Sequence, residues 1–283
     1  MRLVVLRCDA PSISDFSVAP ALPEVHDFPV IPSRRDLRII DDAAFDVLPV
    51  DRTPSLDDIA KQPDVAHLGA PQFAPQKPER PLRIVVIGSD AALSAVLTRL
   101  MRADNMWAEI GFVPQGESIA ATSWALPSDP QEALNFALTQ PVRPVPLIRD
   151  DAAVAVAGAA TITNWDNAEI TGEIIVDDHV QIRHEASAKI PRRGIFGARL
   201  VPMLDAPGIA AVTMDTPLPG AVPSRGLFPR KSGTVIAQSF STGRALQAGG
   251  LSLRVQVDGT SRKRPVERVT FYRHLRDLQI VRP

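Results

Sequence analysis

The sequence predicts an α/β domain followed by an antiparallel β domain, and two patterns along its 283 residues carry this prediction. Residues 82–145 alternate β-branched runs with amphipathic stretches, which is typical of α/β proteins. From residue 146 to residue 283, short β-type runs separated by Gly, Pro or Asn-Asp replace the helix signals, which indicates a β-sandwich or barrel. The 27 prolines also argue against an all-helical protein.

Residues 1–81 precede both patterns and hold 12 of the 27 prolines. Within them we predict a strand over residues 2–7 and a short helix over residues 55–61. Residues 70–81 are rich in proline and read as an extended linker, so we place a domain boundary at residue 81.

The α/β region opens with a predicted strand, tight turn and helix. The β-branched run 82–87 stops at Gly88, and apolar residues recur at helical spacing over residues 91–101. Ser89 or Asp90 can cap this helix through its side-chain oxygen. A second strand is predicted over residues 107–113, one or two helical turns over 118–124, and a capped helix from Asp129 to about residue 139.

The β region is predicted to contain strands over residues 153–163, 168–176, 180–184, 199–204, 209–214, 234–240, 251–257, 266–272 and 278–281. We assign the whole of residues 146–283, including the last strand, to one β-sandwich domain.

Cysteine content and hydropathy limit the function classes. The single cysteine, Cys8, excludes an internal disulfide and a cysteine-based zinc site. No apolar run approaches the length of a membrane span, and the first residues do not form a signal peptide. We therefore expect a cytoplasmic protein, and because the five histidines are scattered we assign no metal ligand.

Charge is distributed unevenly along the chain: residues 1–180 sum to −12 and residues 181–283 to +11. Either the two parts attract each other, or the basic part faces an anionic partner. Nucleic acid is not expected as that partner because aromatic residues are sparse near the basic run 262–264. Basic residues that suit a peripheral membrane contact, or that serve solubility alone, are Arg225, Arg230, Lys231 and Arg244.

Three turns are candidates for chemistry, namely Gly88-Ser89-Asp90, Gly116-Glu117-Ser118 and Asp258-Gly259. The first two precede predicted helices, where backbone amides can bind phosphate. The alternative is purely structural: a glycine that makes the turn and an aspartate that caps the helix. Asp258-Gly259 is first of all a hairpin signal.

Together and in this order, the three turns resemble those of the diacylglycerol kinases and related lipid kinases, which share a superfamily with NAD kinases. Segment 88–92 stands where that family has Gly-Gly-Asp-Gly-Thr, and segment 113–119 where it has Ile-Pro-x-Gly-Thr-Gly-Asn. Segment 258–260 matches part of a late Asp-Gly-Glu turn. The resemblance runs over residues 82–283.

The resemblance implies a Rossmann-like nucleotide-binding α/β domain in which ATP, Mg²⁺ and a lipid hydroxyl meet in a cleft. It implies Asp258 as the catalytic base. The residues that it implies for cofactor binding are Gly88, Ser89, Asp90, Gly116, Glu117 and Ser118.

Several residues depart from the family's motifs in ways that weaken phosphate binding. Ala91 adds a Cβ where the family has a glycine, and Glu117 places a carboxylate where it has a threonine. Ile119 and Thr260 each replace a polar group of the family. We therefore expect weakened or lost ATP-dependent phosphoryl transfer, in a module that binds a lipid, another small hydroxyl compound or a partner. The alternative is an active ATP- and Mg²⁺-dependent lipid kinase, and a homo-oligomer is compatible with either.

Overall fold

The computed structural model describes residues 1–10, 15–49, 61, 69–75, 77–187, 191–218 and 232–283. Most of the predicted N-terminal helix, residues 55–60, lies outside these ranges, as do Arg225, Arg230 and Lys231. Within them, the predicted fold class is confirmed: a parallel sheet with helices on both faces adjoins a large antiparallel sheet.

The helices of the described chain are α1 (Arg38–Val47), α2 (Asp90–Arg102), α3 (Ile119–Ser123) and α4 (Pro130–Thr139). Its strands are β1 (Arg2–Cys8), β2 (Glu24–Phe28), β3 (Leu82–Gly88), β4 (Glu109–Pro114), β5 (Val142–Val145), β6 (Ile148–Asp150), β7 (Ala155–Val156), β8 (Ala160–Asn164), β9 (Gly172–Val176), β10 (His179–His184), β11 (Gly197–Pro202), β12 (Ile209–Met214), β13 (Val235–Gly243), β14 (Ala245–Val257), β15 (Thr260–Ser261), β16 (Val266–Arg273) and β17 (Leu278–Val281).

The first sheet has the strand order β2-β1-β3-β4-β17-β5 in the described chain, and all neighbours are parallel except the β17–β5 pair. Every residue of β3 is buried, as expected for a parallel strand covered on both faces. One face packs on α1, α2 and α3, and the other on α4. The side chains of Ser89 and Asp129 cap α2 and α4, which confirms both predicted helix starts.

Parallel strands bring the first two candidate turns together. The carboxyl ends of β3 and β4 lie at the same edge of the sheet, and the Gln115 amide donates to the Gly88 carbonyl at 2.8 Å. This edge is where open α/β sheets place their ligand sites.

The second sheet joins the remaining eleven strands of the described chain, and its pairs are antiparallel. Its longest strand, β14, pairs with β9 over residues 246–250 and with β8 over residues 253–257. On its other side, the register of β14 with β16 shifts between Gly249 and Leu253. Strands β14 and β15 form a hairpin whose turn is Asp258-Gly259, as predicted. This hairpin faces the first sheet and completes the site described below.

Three features differ from the predictions. The boundary at residue 81 does not separate two structural units, because β1 and β2 belong to the first sheet and β1 pairs with β3 along its length. The last strand, β17, lies in the first sheet and not in the β domain, since its four buried residues fill the space between β4 and β5. The strand predicted over residues 153–163 is interrupted at residues 157–159.

The close packing of α4 on β4 of the first sheet can be tested by substitution of a glycine on β4. A Cβ at Gly111 would lie 2.9 Å from the Ala137 Cβ and 3.0 Å from the Ala137 carbonyl oxygen. We therefore expect Gly111→Ala to lower the free energy of unfolding by about 1–3 kcal/mol, measured by urea denaturation. The control is Gly249→Ala, where a Cβ would meet no described atom within 4 Å. Equal losses in both variants would contradict the packing described.

Candidate functional site

A cavity of about 810 Å³ lies between the two sheets and is lined from both. Its lining includes five of the predicted site residues, namely Ser89, Asp90, Glu117, Ser118 and Asp258. The three candidate turns, which are far apart in sequence, therefore meet in one cleft. The other two predicted residues, Gly88 and Gly116, belong to the same turns but do not line the cavity. Gly116 has a φ of +82°, a backbone conformation that favours glycine.

Asp90 connects the first two turns. Its backbone begins α2, while its carboxylate accepts hydrogen bonds from the Ser118 hydroxyl and from the amides of Ile119 and Ala120, the latter two at 2.9 and 3.3 Å. The first amides of α3, which directly follow the second turn, are thus engaged by a carboxylate of the protein itself. Asp90 therefore has a helix-capping role, as the structural alternative for the first turn proposed. The helix that its side chain caps, however, is α3 and not α2.

Asp258 is held by backbone amides on the opposite side of the cleft. Both Asp258 and Gly259 have positive φ, +47° and +80°, as in the type I′ turns of two-residue hairpins. The Asp258 carboxylate accepts hydrogen bonds from the amides of Ala157, Gly158 and Ala159, each at 2.8 Å. Three consecutive amides of this kind form an anion-binding nest, and here the anion belongs to the chain.

The loop of residues 157–159 lies between the two carboxylates. A Cβ on Gly158 would be 2.3 Å from Oδ2 of Asp90, so only glycine allows the loop to approach that side chain. We call Asp90, Asp258 and this loop the carboxylate clamp. This loop was not predicted. Its signal in the sequence is Gly158, a glycine inside a predicted strand, which indicates a bulge or a close approach of the backbone.

Burial changes the acidity of Asp258. Desolvation raises the pKa of its carboxyl from 3.8 to about 7, against the opposing effect of the three amide donors, and the charge of Asp90 raises it further. A carboxyl that titrates near neutral pH in a cleft is suited to acid–base chemistry.

Among the described residues that line the cleft, acidic side chains outnumber basic ones. The acidic residues are Asp90, Glu117 and Asp258, and the basic residue is Arg199. Glu117 is exposed at this surface. A phosphate charge about 4 Å from a carboxylate is repelled by roughly 1–4 kcal/mol, depending on the local dielectric.

The described residues do not fit the Mg²⁺ that the resemblance implies. No group of three or more His, Cys, Asp or Glu side chains that could hold a metal ion occurs among the described residues. The oxygens of Asp90 and Asp258 already accept hydrogen bonds from the chain.

Solved structures show what this architecture is similar to. A diacylglycerol kinase from Bacillus anthracis str. Sterne aligns with a TM-score of 0.59 and 8% identity, covering 100% of this chain and 97% of that one. The chain has the diacylglycerol kinase fold. A second structure from the same organism aligns with a TM-score of 0.60 at the same identity and coverage. An NAD kinase from Archaeoglobus fulgidus in complex with ATP aligns with a TM-score of 0.48 and 13% identity, covering 100% of this chain and 94% of that one.

Comparisons of sequence give no match: neither a protein-family model nor a curated protein matches this chain. At 8% sequence identity, the similarity to these two structures concerns the fold alone. Among the described helices, none is long and apolar enough to cross a membrane.

The raised pKa of Asp258 predicts a pH-dependent stability. Because the folded state holds this proton more tightly than the unfolded chain, the stabilisation is complete below about pH 4 and is lost as the pH rises through about 7. The free energy of unfolding should fall by at most about 4 kcal/mol from this group over that interval.

We expect Asp258→Asn to flatten this decline, measured by urea denaturation at several values between pH 4.5 and 7.5. Asp178→Asn, which removes an exposed carboxyl elsewhere, is the control. A native chain and an Asp258→Asn variant with parallel pH profiles would contradict the shift.

Proposed function

We propose that this protein uses the diacylglycerol kinase fold as a ligand-binding module in which ATP-dependent phosphoryl transfer is weakened or lost. The observation that carries the proposal is the engagement of Asp90 with the Ile119 and Ala120 amides. A phosphate that used these amides would have to displace a carboxylate whose own hydrogen bonds are already satisfied. Ala91 adds to this effect, since its Cβ lines the cleft where the family's turn has a bare backbone.

The cleft itself supports binding of a different ligand class. Its volume of about 810 Å³ falls within the range of small-molecule sites, about 300–1,000 Å³. Thr161, Arg199 and Gln256 contribute hydrogen-bonding side chains from the second sheet, facing the carboxylates of the first. We propose an uncharged or cationic hydroxyl compound as the ligand, because it can donate hydrogen bonds to carboxylates without charge repulsion.

A second candidate function is an active lipid kinase, favoured by one observation. The pKa of Asp258, about 7, is close to that of an effective general base at neutral pH. In this alternative, Asp258 would accept the proton of a substrate hydroxyl through an oxygen lone pair that the 157–159 amides leave free. Glu117 and the amide engagement of Asp90 count against it.

Calorimetry with ATP, with and without Mg²⁺, separates the two functions. We expect no binding to the native chain at micromolar ATP, and weak binding to Glu117→Thr, because one like-charge repulsion is removed. The expected gain is about tenfold, corresponding to about 1.4 kcal/mol.

The matched control for this experiment is Glu267→Thr, which removes an exposed glutamate on β16 that does not line the cleft. Micromolar ATP binding by the native chain would overturn the proposal, and lipid hydroxyl substrates would then be screened with Asp258→Asn as the inactive control. Equal gains in Glu117→Thr and Glu267→Thr would show that net charge, and not the position of Glu117, opposes the nucleotide.

A further inference from the structure

A second cavity, of about 360 Å³, adjoins the cleft and holds none of the residues discussed so far as catalytic or cofactor-binding. It lies between α2 and the β14–β15 hairpin, under the segment 31–37. The cleft and this cavity share Ile31, Ala91 and Thr260 in their linings. We call it the arginine pocket, for the four arginines that line it.

One wall of the arginine pocket is apolar. Val255 and Val257 alternate along β14 and point to the same face of the sheet, while Ala95 lies on the facing side of α2. Leu37 and Val154 complete this wall. Its composition suits the hydrocarbon part of a ligand, as in most small-molecule sites.

The remaining wall carries more positive than negative charge. Arg34, Arg99, Arg102 and Arg262 line the pocket against one carboxylate, that of Asp150. Asp150 is bound by Arg262, and Arg99 is paired outside the pocket by Asp41. The guanidinium charges of Arg34 and Arg102 therefore remain without a carboxylate in the lining.

These two charges have no carboxylate partner within the described ranges. Arg34 is exposed and forms no ion pair there, and Arg102 donates only to the neutral carbonyls of Ala152 and Ala153. Burial lowers the pKa of the Arg99 guanidinium, and the positive charges of Arg34 and Arg38 lower it further. Guanidinium groups that repel one another in this way are typical of sites that bind anions.

Arg262 supplies an independent observation. One of its terminal nitrogens binds Asp150 and Asp151, yet its Nε is buried and has no hydrogen-bond partner among the described residues. Buried donors without a partner are rare in folded proteins, since each costs the free energy of its lost hydration. The Nε of Arg254 and Arg282 is also buried without a partner in the described chain, but of the three only Arg262 lines this pocket, where its Nε is a donor that a ligand's acceptor can satisfy.

We propose that the arginine pocket binds a small anionic amphiphile, with a phosphate monoester head at Arg34, Arg102 and Arg262 and a single apolar chain against the valine wall. The volume, near the low end for small-molecule sites, favours one short chain over a two-chain lipid. Each guanidinium has five N–H donors, so Arg102 and Arg262 can contact the chain through some of them and a phosphate through others, which the ammonium of a lysine does less well. The proposal is independent of whether the cleft binds ATP, because it rests on other residues.

Calorimetry with octyl phosphate below its micelle concentration tests the proposal, with octanol and inorganic phosphate as probes of the tail and the head alone. We expect octyl phosphate to bind at least about tenfold more tightly than either probe, since both walls contribute. Binding by inorganic phosphate alone, or equal binding of octanol, would overturn the amphiphile assignment, as would absence of octyl phosphate binding.

Two variants locate the site. Arg34→Gln should weaken octyl phosphate binding by about three- to tenfold, and Ala95→Leu should weaken it by about tenfold or more by filling the apolar wall. Arg35→Gln is the matched control, because Arg35 is an exposed neighbour that does not line the pocket. Equal weakening in Arg34→Gln and Arg35→Gln would mean nonspecific charge attraction and would overturn the site. Thermal unfolding of each variant confirms that it is folded.

Discussion

The site depends on one arrangement, the binding of the Asp258 carboxylate to three consecutive amides of the 157–159 loop. These amides would otherwise be buried donors without partners between two short strands, β7 and β8. Their hydrogen bonds fix the tip of the β14–β15 hairpin against the connection between β7 and β8 of the same sheet. Gly158 then lies against Asp90, so the same loop fixes the edge of the first sheet. The position of each turn in the cleft follows from this clamp.

The clamp also determines what chemistry the cleft can support. Amides at the start of α3 and in the 157–159 loop are satisfied by carboxylates of the protein, and Asp90, Glu117 and Asp258 are among the described lining residues. The diacylglycerol kinase fold encloses a cleft of about 810 Å³ between the two sheets. The anion-recognising charge lies instead one pocket away, on α2 and the far side of the same hairpin. Because Val257 and Thr260 flank the Asp258 turn and line the arginine pocket, a ligand there contacts the element that carries Asp258.

Much of this structure is predictable from local sequence, and the rest is decided by contacts that no local pattern contains. The strand–turn–helix at residues 82–102 and the Asp258-Gly259 hairpin were predictable because their signals, β-branched runs, caps and turn residues, act within a few positions. The place of β17 in the first sheet was not, since its partner β4 is more than 160 residues away. Nor was the second role of Asp90, because a carboxylate that begins one helix reveals nothing locally about capping another, 29 residues later. The order of the three turns predicted that they meet, but not that Asp90 accepts from the first amides of α3 or that Asp258 accepts from the 157–159 loop.

The most direct test of this account follows the amide resonances of Ile119 and Ala120 in nitrogen-15 NMR spectra during titration with ATP and Mg²⁺. The account predicts that these resonances stay in place in the native chain, because the Asp90 carboxylate occupies their hydrogen bonds. In Asp90→Ala the same amides are released, and they should shift on titration. Displacement of the Ile119 and Ala120 resonances of the native chain at micromolar ATP would contradict the central claim that the protein's own carboxylates hold the phosphate-binding amides.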